Sequence, residues 1–352
     1  MTTAPDRVRF GVWANVYGTF ASLAHPDDPV DASWARNRDL VLEAERLGFE
    51  ATLVAQHTFN PHGDQYDQLE AWTASAALAA LTSRIEVIAA IKPLLAHPVV
   101  LAKQALQIEE IAQGRFSLNF VNAWYRPELD KAGIDFLPHA ERYAYGREWI
   151  TVVRSLMEGR RTTFAGRYLN VDDYVLRPAD AFRPRPLIYG GGESEDSRAV
   201  LSELADVFFL NAQPPEDAAA MIDDLRRRPR GGQPPLRYAM AAFVIARETD
   251  EEAQAALRHA LALAQADQDA LASIRAGTDP ASSMGRSLAA RGPVVGTNGG
   301  TAAGLVGSYA TVARRLREFA DLGVELFMLQ FQPFEAEMRR FAEHVRPLFD
   351  GR

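Results

Sequence analysis

The stretch IEVIAAIKPLLAHPVVLAKQALQIEEIAQGRFSLNFVNAW, Ile85 to Trp124, decides the fold. Its opening, Ile85 to Ile91, is an apolar run with little polar alternation, as expected of a strand buried on both faces. A helix is expected from Pro98, which suits a first turn because that position has no N–H to lose. Val99, Ala102, Leu106 and Ile108 supply its apolar residues, and Gly114 stops it. Arg115 to Val121 reads as a second strand that carries Asn119 and leads into Asn122 and Trp124. Polar and aromatic groups at the C-terminal end of a buried parallel strand lie where barrel enzymes keep their chemistry. The unit is βαβ.

The same alternation extends outward. Val8 to Trp13, Ala51 to Val54, Leu187 to Gly190, Val207 to Leu210, Arg237 to Ile245 and Leu326 to Gln330 bring the expected strands to eight. Helices are expected over Ser33 to Leu47, Leu69 to Leu81 and Arg142 to Met157, from near Ser194, Pro215, Asp250 and Ser308, and over Glu335 to Phe349. Phe164 to Pro178 alternates but is too polar for a buried wall, so it reads as a small hairpin or loop insertion. Such alternation fits a (β/α)₈ barrel, and equally a doubly wound open sheet. No linker divides the 352 residues, which read as one domain, 1–352. The segment 279–304 is rich in glycine and serine and weakly periodic, and is expected to be a mobile lid loop.

Composition narrows the function. Net charge is −8, from 38 basic and 46 acidic side chains, which argues against a general nucleic-acid or anionic-membrane surface. The chain has no cysteine, so disulfides, thiolate zinc sites and cysteine nucleophiles are excluded. Met1 to Arg9 lacks the apolar core of a signal peptide, and no apolar run of about 18 residues occurs, so a cytoplasmic protein is expected. His57 and His62 are followed by Asp64, Asp67 and Glu70, but not at metal-ligand spacing, so no metal is expected. No nucleophile elbow, P-loop or dinucleotide fingerprint is present.

GRFSLNFVNAW, Glu128 and HAERY at His139 to Tyr143 together resemble the bacterial-luciferase-like flavin monooxygenases. The branch is that of alkanesulfonate monooxygenase, dimethyl sulfone monooxygenase and pyrimidine oxygenase. RFGVWANV at Arg9 to Val16, LIYGGGES at Leu187 to Ser194, FVIARET at Phe243 to Thr249 and GLVGSYATVARRL at Gly304 to Leu316 extend the resemblance nearly end to end. It implies the barrel rather than the open sheet. It also implies a two-component monooxygenase: reduced FMN arrives by diffusion from a separate NAD(P)H-dependent flavin reductase, and one oxygen atom of O₂ enters a small organic substrate. Oxygen would add to the flavin ring at C4a or N5. A homodimer or homotetramer is expected. The alternatives are an F420-dependent dehydrogenase and a non-catalytic flavin-binding barrel.

Site residues follow from both readings. The glycine-rich turn before a helix lets backbone N–H groups approach a phosphate. The resemblance places the flavin phosphate on Gly191, Gly192, Glu193 and Ser194, with Tyr143 donating. Relatives carry GGSS there, so Glu193 is a departure and must point away from a phosphate. Asn119 and Ala90 are expected beside the flavin ring. Asn119 and His57 are the catalytic candidates, although an asparagine at a strand end is often a turn former and scattered histidines, His62 and His97 included, are mostly surface residues. Trp13, Asn15, Gln68, Trp124, Phe243, Phe331 and Phe334 are expected to form the substrate pocket. Positions that are cationic in the sulfonate enzymes are Ala241, Phe243 and Asn298 here, a tyrosine of theirs corresponds to Gln332, and a cysteine to Gln68. A sulfonate left unpaired would be costly to bury. A neutral sulfone, heterocyclic amide or ketone fits better, and Lys92 and Arg126 are the remaining cations that could hold an anion instead.

Overall fold

Twelve strands appear in the computed structural model, which describes residues 7–282 and 294–351. Eight of them, all parallel, close into a barrel: β1 (Arg9–Ala14), β2 (Ala51–Val54), β3 (Glu86–Ile91), β4 (Phe116–Phe120), β7 (Leu187–Gly190), β8 (Val207–Leu210), β9 (Arg237–Phe243) and β12 (Val324–Gln330). β5 (Thr162–Ala165) and β6 (Asn170–Tyr174) form the small antiparallel hairpin, set apart from the wall. Closure is made where β1 meets β12, with Phe10 opposite Phe327 and Val12 opposite Leu329. The open sheet is thereby excluded.

Local chemistry explains why the helices start and stop where they do. α1 (Trp34–Arg46) begins at Ser33, whose hydroxyl accepts from the Arg36 N–H at 3.2 Å, and the chain leaves it through Gly48 at φ +86°. α2 (Ala71–Leu81) is capped by the Glu70 carboxylate, and α3 (Pro98–Ile111) by the His97 ring, which accepts from Val99 N–H at 3.3 Å. His97 is therefore occupied as a cap. α4 (Arg126–Asp130) is a short turn after β4, and α5 (His139–Met157) buries Trp149 completely, with its indole donating to the Ala96 carbonyl at 2.8 Å. Burying a large apolar side chain of this kind contributes about 1.5–3 kcal/mol. α6 (Glu195–Leu204) and α7 (Pro215–Arg227) follow β7 and β8.

The N-terminal ends of the strands are sealed by a polar network. Arg9 donates to Glu86 at 2.8 Å and to the Tyr189 hydroxyl at 3.2 Å, and Ser117 donates to Glu86 at 2.5 Å. Glu86 is buried, and its carboxyl is lowered because Arg9, Ser117 and Arg183 outweigh the upward push of burial.

The opposite end is covered by an excursion between β9 and β12. Val244 N–H still bonds the Gln330 carbonyl of the barrel at 3.0 Å, but Ile245 N–H turns to Leu305 at 3.0 Å. There β10 (Ile245–Arg247) pairs with β11 (Val306–Ser308), so the expected strand Arg237 to Ile245 is divided between two sheets. α8 (Asp250–Ala266) starts at a capping box between Thr249 and Glu252, and α9 (Gln268–Gly277) follows. α9 is not anticipated from the sequence as a separate helix. Of the expected lid, residues 283–293 lie outside the described residues.

Both described flanks of that stretch are tied down. Asp279 N–H bonds the Trp124 carbonyl at 2.8 Å, and the Asp279 carboxylate pairs with the buried guanidinium of Arg142. On the far side Thr297 N–H donates to Gln330 Oε1 at 3.0 Å, and Gln330 Nε2 returns a bond to Thr297 Oγ1 at 3.0 Å. Ala212 N–H also bonds the Asn298 carbonyl at 2.8 Å.

Candidate active site

A cavity of about 690 Å³ opens at the C-terminal ends of the strands, the end where barrel enzymes work. Its wall comes from β1 (Trp13), β2 and its loop (Leu53, His57), β3 (Ala90, Lys92), β4 and its loop (Asn119, Asn122, Trp124) and the turn after β7 (Gly191, Gly192). Tyr143 of α5 completes that side. The roof is partly helical: Leu261, Ala264, Ile274 and Arg275 of α8 and α9 face the cavity, as do residues 294 and 296–299.

One end of the cavity fits an anion. Gly192 has φ +154°, and a Cβ there would lie 2.2 Å from Ser197 Oγ and 3.4 Å from the Tyr143 hydroxyl. Ser197 is fully buried and its hydroxyl has no hydrogen-bond partner. The bare backbone of Gly191 and Gly192 reaches the cavity beside Tyr143, and the orphaned Ser197 hydroxyl stands directly behind it at the start of α6 without lining the cavity. Ser194 has a different job: it is the N-cap of α6, accepting from Ser197 N–H at 3.1 Å. Glu193 turns toward Asn211, which donates to it at 3.1 Å, and neither Glu193 nor Ser194 lines the cavity. Ser197 is a buried hydroxyl that sequence reasoning does not single out; the only signal is its place three residues into a helix after a glycine turn.

Along the middle, further polar atoms stand without partners. Trp13 Nε1, Asn119 Oδ1 and Asn122 Nδ2 are buried at the cavity wall and unsatisfied by protein. A donor and an acceptor left bare in one cavity suit a heterocycle that carries both, such as a flavin ring. Register explains the proximity: Asn119 sits opposite Tyr189 and Phe120 opposite Gly190, so β4 delivers Asn119 beside the glycine turn.

The other end is aromatic and holds a buried charged cluster. His57 lies with its ring 5.7 Å from Trp124 and 6.2 Å from Tyr17, and His62 lies 5.9 Å from Tyr17. Lys92, 2% exposed, pairs with Glu128, 1% exposed, and its Nζ is 3.2 Å from His57 Nδ1. Glu128 Oε1 accepts from Thr58 N–H at 2.6 Å. Burial alone would raise the Glu128 carboxyl, but the Lys92 ammonium against it outweighs burial and holds the carboxyl below the usual carboxylate range. Lys92 is lowered by burial, against the opposing pull of Glu128. A carboxylate so buried needs a cation beside it, so we assign an ionised pair. His57 is lowered to about 4, first by burial and then by Lys92, and His62 to about 4 by burial and by His57. Both histidines are neutral at pH 7.

Several expected pocket residues stand behind the wall instead. Phe243 packs with Ile245, Ala253 and Val295, Phe331 meets Phe334 edge-on at 5.6 Å, and Phe334 lies 6.0 Å from Phe20. None of the three phenylalanines lines the cavity, because each strand end there turns its ring into a core cluster. Asn15 donates to the Gly18 carbonyl at 3.0 Å within its own loop, and Gln68 to the adjacent Leu69 carbonyl at 2.7 Å. Ala241 is a wall residue, and Gln332 binds Thr19 at 3.1 Å and Ser22 at 2.8 Å. Ala90 does line the cavity, where its carbonyl accepts from Trp72 Nε1 at 3.0 Å. Of the two cations considered, Lys92 is neutralised by Glu128, while the Arg126 side chain, 59% exposed, lies over Phe136 outside the cavity. Arg275, exposed at the rim, has no ion-pair partner among the described residues.

Comparisons with known proteins bear on the family and the fold. The family model for luciferase-like monooxygenases matches residues 16–326. An FMNH₂-dependent dimethylsulfone monooxygenase of Pseudomonas putida is 34% identical over 318 residues, covering 89% of this chain and 87% of its own. One of the same description from Pseudomonas fluorescens (strain Pf0-1) is 33% identical over 351 residues, covering 97% and 94%. The crystal structure of DmoA from Hyphomicrobium sulfonivorans superposes with a TM-score of 0.78 at 20% identity, over 98% of this chain and 88% of that one, a likeness of fold.

Proposed function

The chain belongs to the luciferase-like monooxygenase family, and from that premise we propose that it is a reduced-FMN-dependent monooxygenase acting on a small neutral substrate. The observation that carries the reading is one cavity with a bare glycine cradle at Gly191 and Gly192 beside Tyr143, unsatisfied buried groups at Trp13 and Asn119, and an aromatic chamber at His57. A cavity of about 690 Å³ is large enough for both a flavin and a small second molecule.

When bound, reduced FMN supplies the activation of dioxygen, which explains a site without a nucleophile triad. The protein's own groups bind, orient and dry. Gly191, Gly192 and Tyr143, with Ser197 behind them, would hold the phosphate, while Trp13 and Asn119 present hydrogen-bonding groups to the ring and Ala90 lines the wall beside it. Trp124, Tyr17 and Phe20 pack on the substrate, and Leu261, Ala264 and Ile274 close over it and exclude water. His57 presents a neutral imidazole to the reacting end. A separate NAD(P)H-dependent reductase supplies the reduced flavin, and the protein works as a homo-oligomer. Among the described residues no helix is long and apolar enough to cross a membrane.

The relatives that share a third of this sequence are FMNH₂-dependent, which favours flavin over F420. The substrate's neutrality rests on Lys92 being spoken for by Glu128. The test is anaerobic titration with reduced FMN and with F420, followed by admission of oxygen in the presence of sulfones, heterocyclic amides or ketones. Binding of reduced FMN with oxygen-dependent product supports the reading; binding of F420 alone, with hydride transfer and no oxygen demand, overturns it.

A further inference from the structure

Three ionisable side chains, two from loops after β2 and β3 and one from the short helix α4, meet beneath the aromatic end of the cavity, and their hydrogen-bond geometry leaves little freedom to the proton on His57. The Lys92 ammonium can only donate. Its Nζ lies 3.2 Å from His57 Nδ1 and against Glu128 Oε2, so both are acceptors of its protons. A proton on Nδ1 would face the ammonium head-on. The Glu128 carboxylate, the other partner Nδ1 could choose, stands farther off at 3.5 Å and is already engaged by Lys92 and by Thr58. The imidazole proton is thereby left to Nε2, on the opposite ring edge. His57 lines the cavity, and among the described residues its one ring hydrogen bond is through Nδ1, none joining Nε2.

We propose that Lys92 is a positioning residue that locks His57 as a neutral imidazole carrying its proton on Nε2, so that the site offers the substrate a fixed hydrogen-bond donor and not a base. The inference rests on the substrate occupying this cavity, as proposed above, and it narrows the substrate's chemistry. The molecule that fits carries an acceptor oxygen of sulfone, amide or ketone type, directed at His57, with its apolar part against Trp124 and Tyr17. A substrate whose reacting group must lose a proton to His57 is disfavoured, because Nε2 has no lone pair to receive it.

The other titratable groups around His57 leave this arrangement undisturbed. Tyr17 and Tyr125 are raised by burial and stay neutral. His62 is itself held neutral, and Lys92 and Glu128 compensate one another. Protonating Nδ1 would place a second cation against Lys92, so His57 remains a donor throughout the range in which the protein works.

The tautomer can be read without flavin or substrate, which separates this inference from the function it builds on. Nitrogen-15 NMR of histidine-labelled full-length protein, assigned with His57→Gln, is expected to show His57 protonated on Nε2 and not titrating between about pH 5 and 9. A proton on Nδ1, or a midpoint near the ordinary histidine value, overturns the proposal, and this measurement on the unaltered protein stands even where a variant fails to fold. In Lys92→Met the proton should move to Nδ1 and donate to Glu128, and the midpoint should rise by about 2 pH units. In the coupled oxygenation assay that variant should lose activity as pH rises through this midpoint, because the imidazolium still donates from Nε2 and the neutral ring protonated on Nδ1 does not, and an unchanged profile counts against a positioning role. Failure to bind reduced FMN would remove the functional reading while leaving the tautomer result intact.

Discussion

Gln330 and Thr297 exchange two hydrogen bonds of 3.0 Å each, so the last residue of the barrel wall holds the backbone that roofs the cavity. Gln330 is fully buried, and Gly296, one residue before Thr297, has no room for a Cβ between Phe243 and Gln330. Gln330→Leu removes both bonds and leaves the Thr297 N–H unsatisfied, an expected loss of about 1–3 kcal/mol. Thermal denaturation should show the destabilisation, and KM for substrate should rise more than kcat falls. A variant as stable as the parent would show that the clamp is dispensable.

The phosphate cradle is tested by Ser197→Ala and Gly192→Ala. Loss of one hydrogen bond to a charged group costs about 1.5–3 kcal/mol, so Ser197→Ala should weaken reduced-FMN binding by roughly 10- to 100-fold. Gly192→Ala should do worse, since its methyl would meet Ser197 Oγ and its φ of +154° is strained for any other residue. Ser194→Ala should instead loosen the start of α6 and lower stability by about 1 kcal/mol through the lost cap. Anaerobic fluorescence titration distinguishes the two serines.

Asn119→Leu is predicted to fold normally and to lose coupling between flavin oxidation and product. The Asn119 amide oxygen has no partner in the protein, so its removal leaves no protein group newly unpaired. Product yield per flavin oxidised is the measurement, and a normal yield would place the flavin ring elsewhere.

Stability should fall on acidification earlier than carboxylates alone would cause. His57 and His62 are lowered to about 4 in the folded chain, so the unfolded chain takes up their protons first, below its ordinary value of about 6.5. Their contribution is complete above about pH 6.5 and lost as pH falls toward 4, at most about 3 kcal/mol each. Glu128, lowered by its pairing with Lys92, adds a second loss below its unfolded value of about 4.5. Denaturant midpoints between pH 7 and 4 should decline in the parent and decline less in the His57→Gln, His62→Gln double variant.

Alkanesulfonates should be turned over orders of magnitude more slowly than neutral sulfones, amides or ketones. A sulfonate at the aromatic end would meet Lys92 only in competition with Glu128, and a buried anion without its own partner costs several kcal/mol. Sulfite release as fast as the best neutral turnover, and abolished by Arg275→Ala, would assign the anion to the rim instead.

The strands are readable in the sequence because a wall buried on both faces produces short apolar runs: every residue of VFFL at Val207–Leu210 is buried, as its composition implies. β9 reads too long because Ile245 is as apolar as its neighbours, and only hydrogen bonding shows that it has changed sheets. α9 gives little signal, since it has no side-chain cap and ends in glycine. At the site, Trp13, Asn119, Trp124, Gly191 and Gly192 reach the cavity from strand ends and the turns after them, and Tyr143, read from the family resemblance, reaches it from α5. The link between His57, Lys92 and Glu128 is not legible, because up to 71 residues separate its members and only the closed barrel makes them neighbours. Phe243, Phe331 and Phe334 illustrate the converse limit: an aromatic at a strand end serves core and pocket equally well until its direction is known.

The network of Arg9, Glu86, Ser117 and Tyr189 lies at the far end of the barrel from every group assigned to the flavin or the substrate. The load that keeps the staves together is thus carried where no ligand reaches. Wall positions such as Trp124, His62 and Ile274 can then be varied to accept new molecules while the barrel base stays pinned, which gives this scaffold room for evolutionary retailoring.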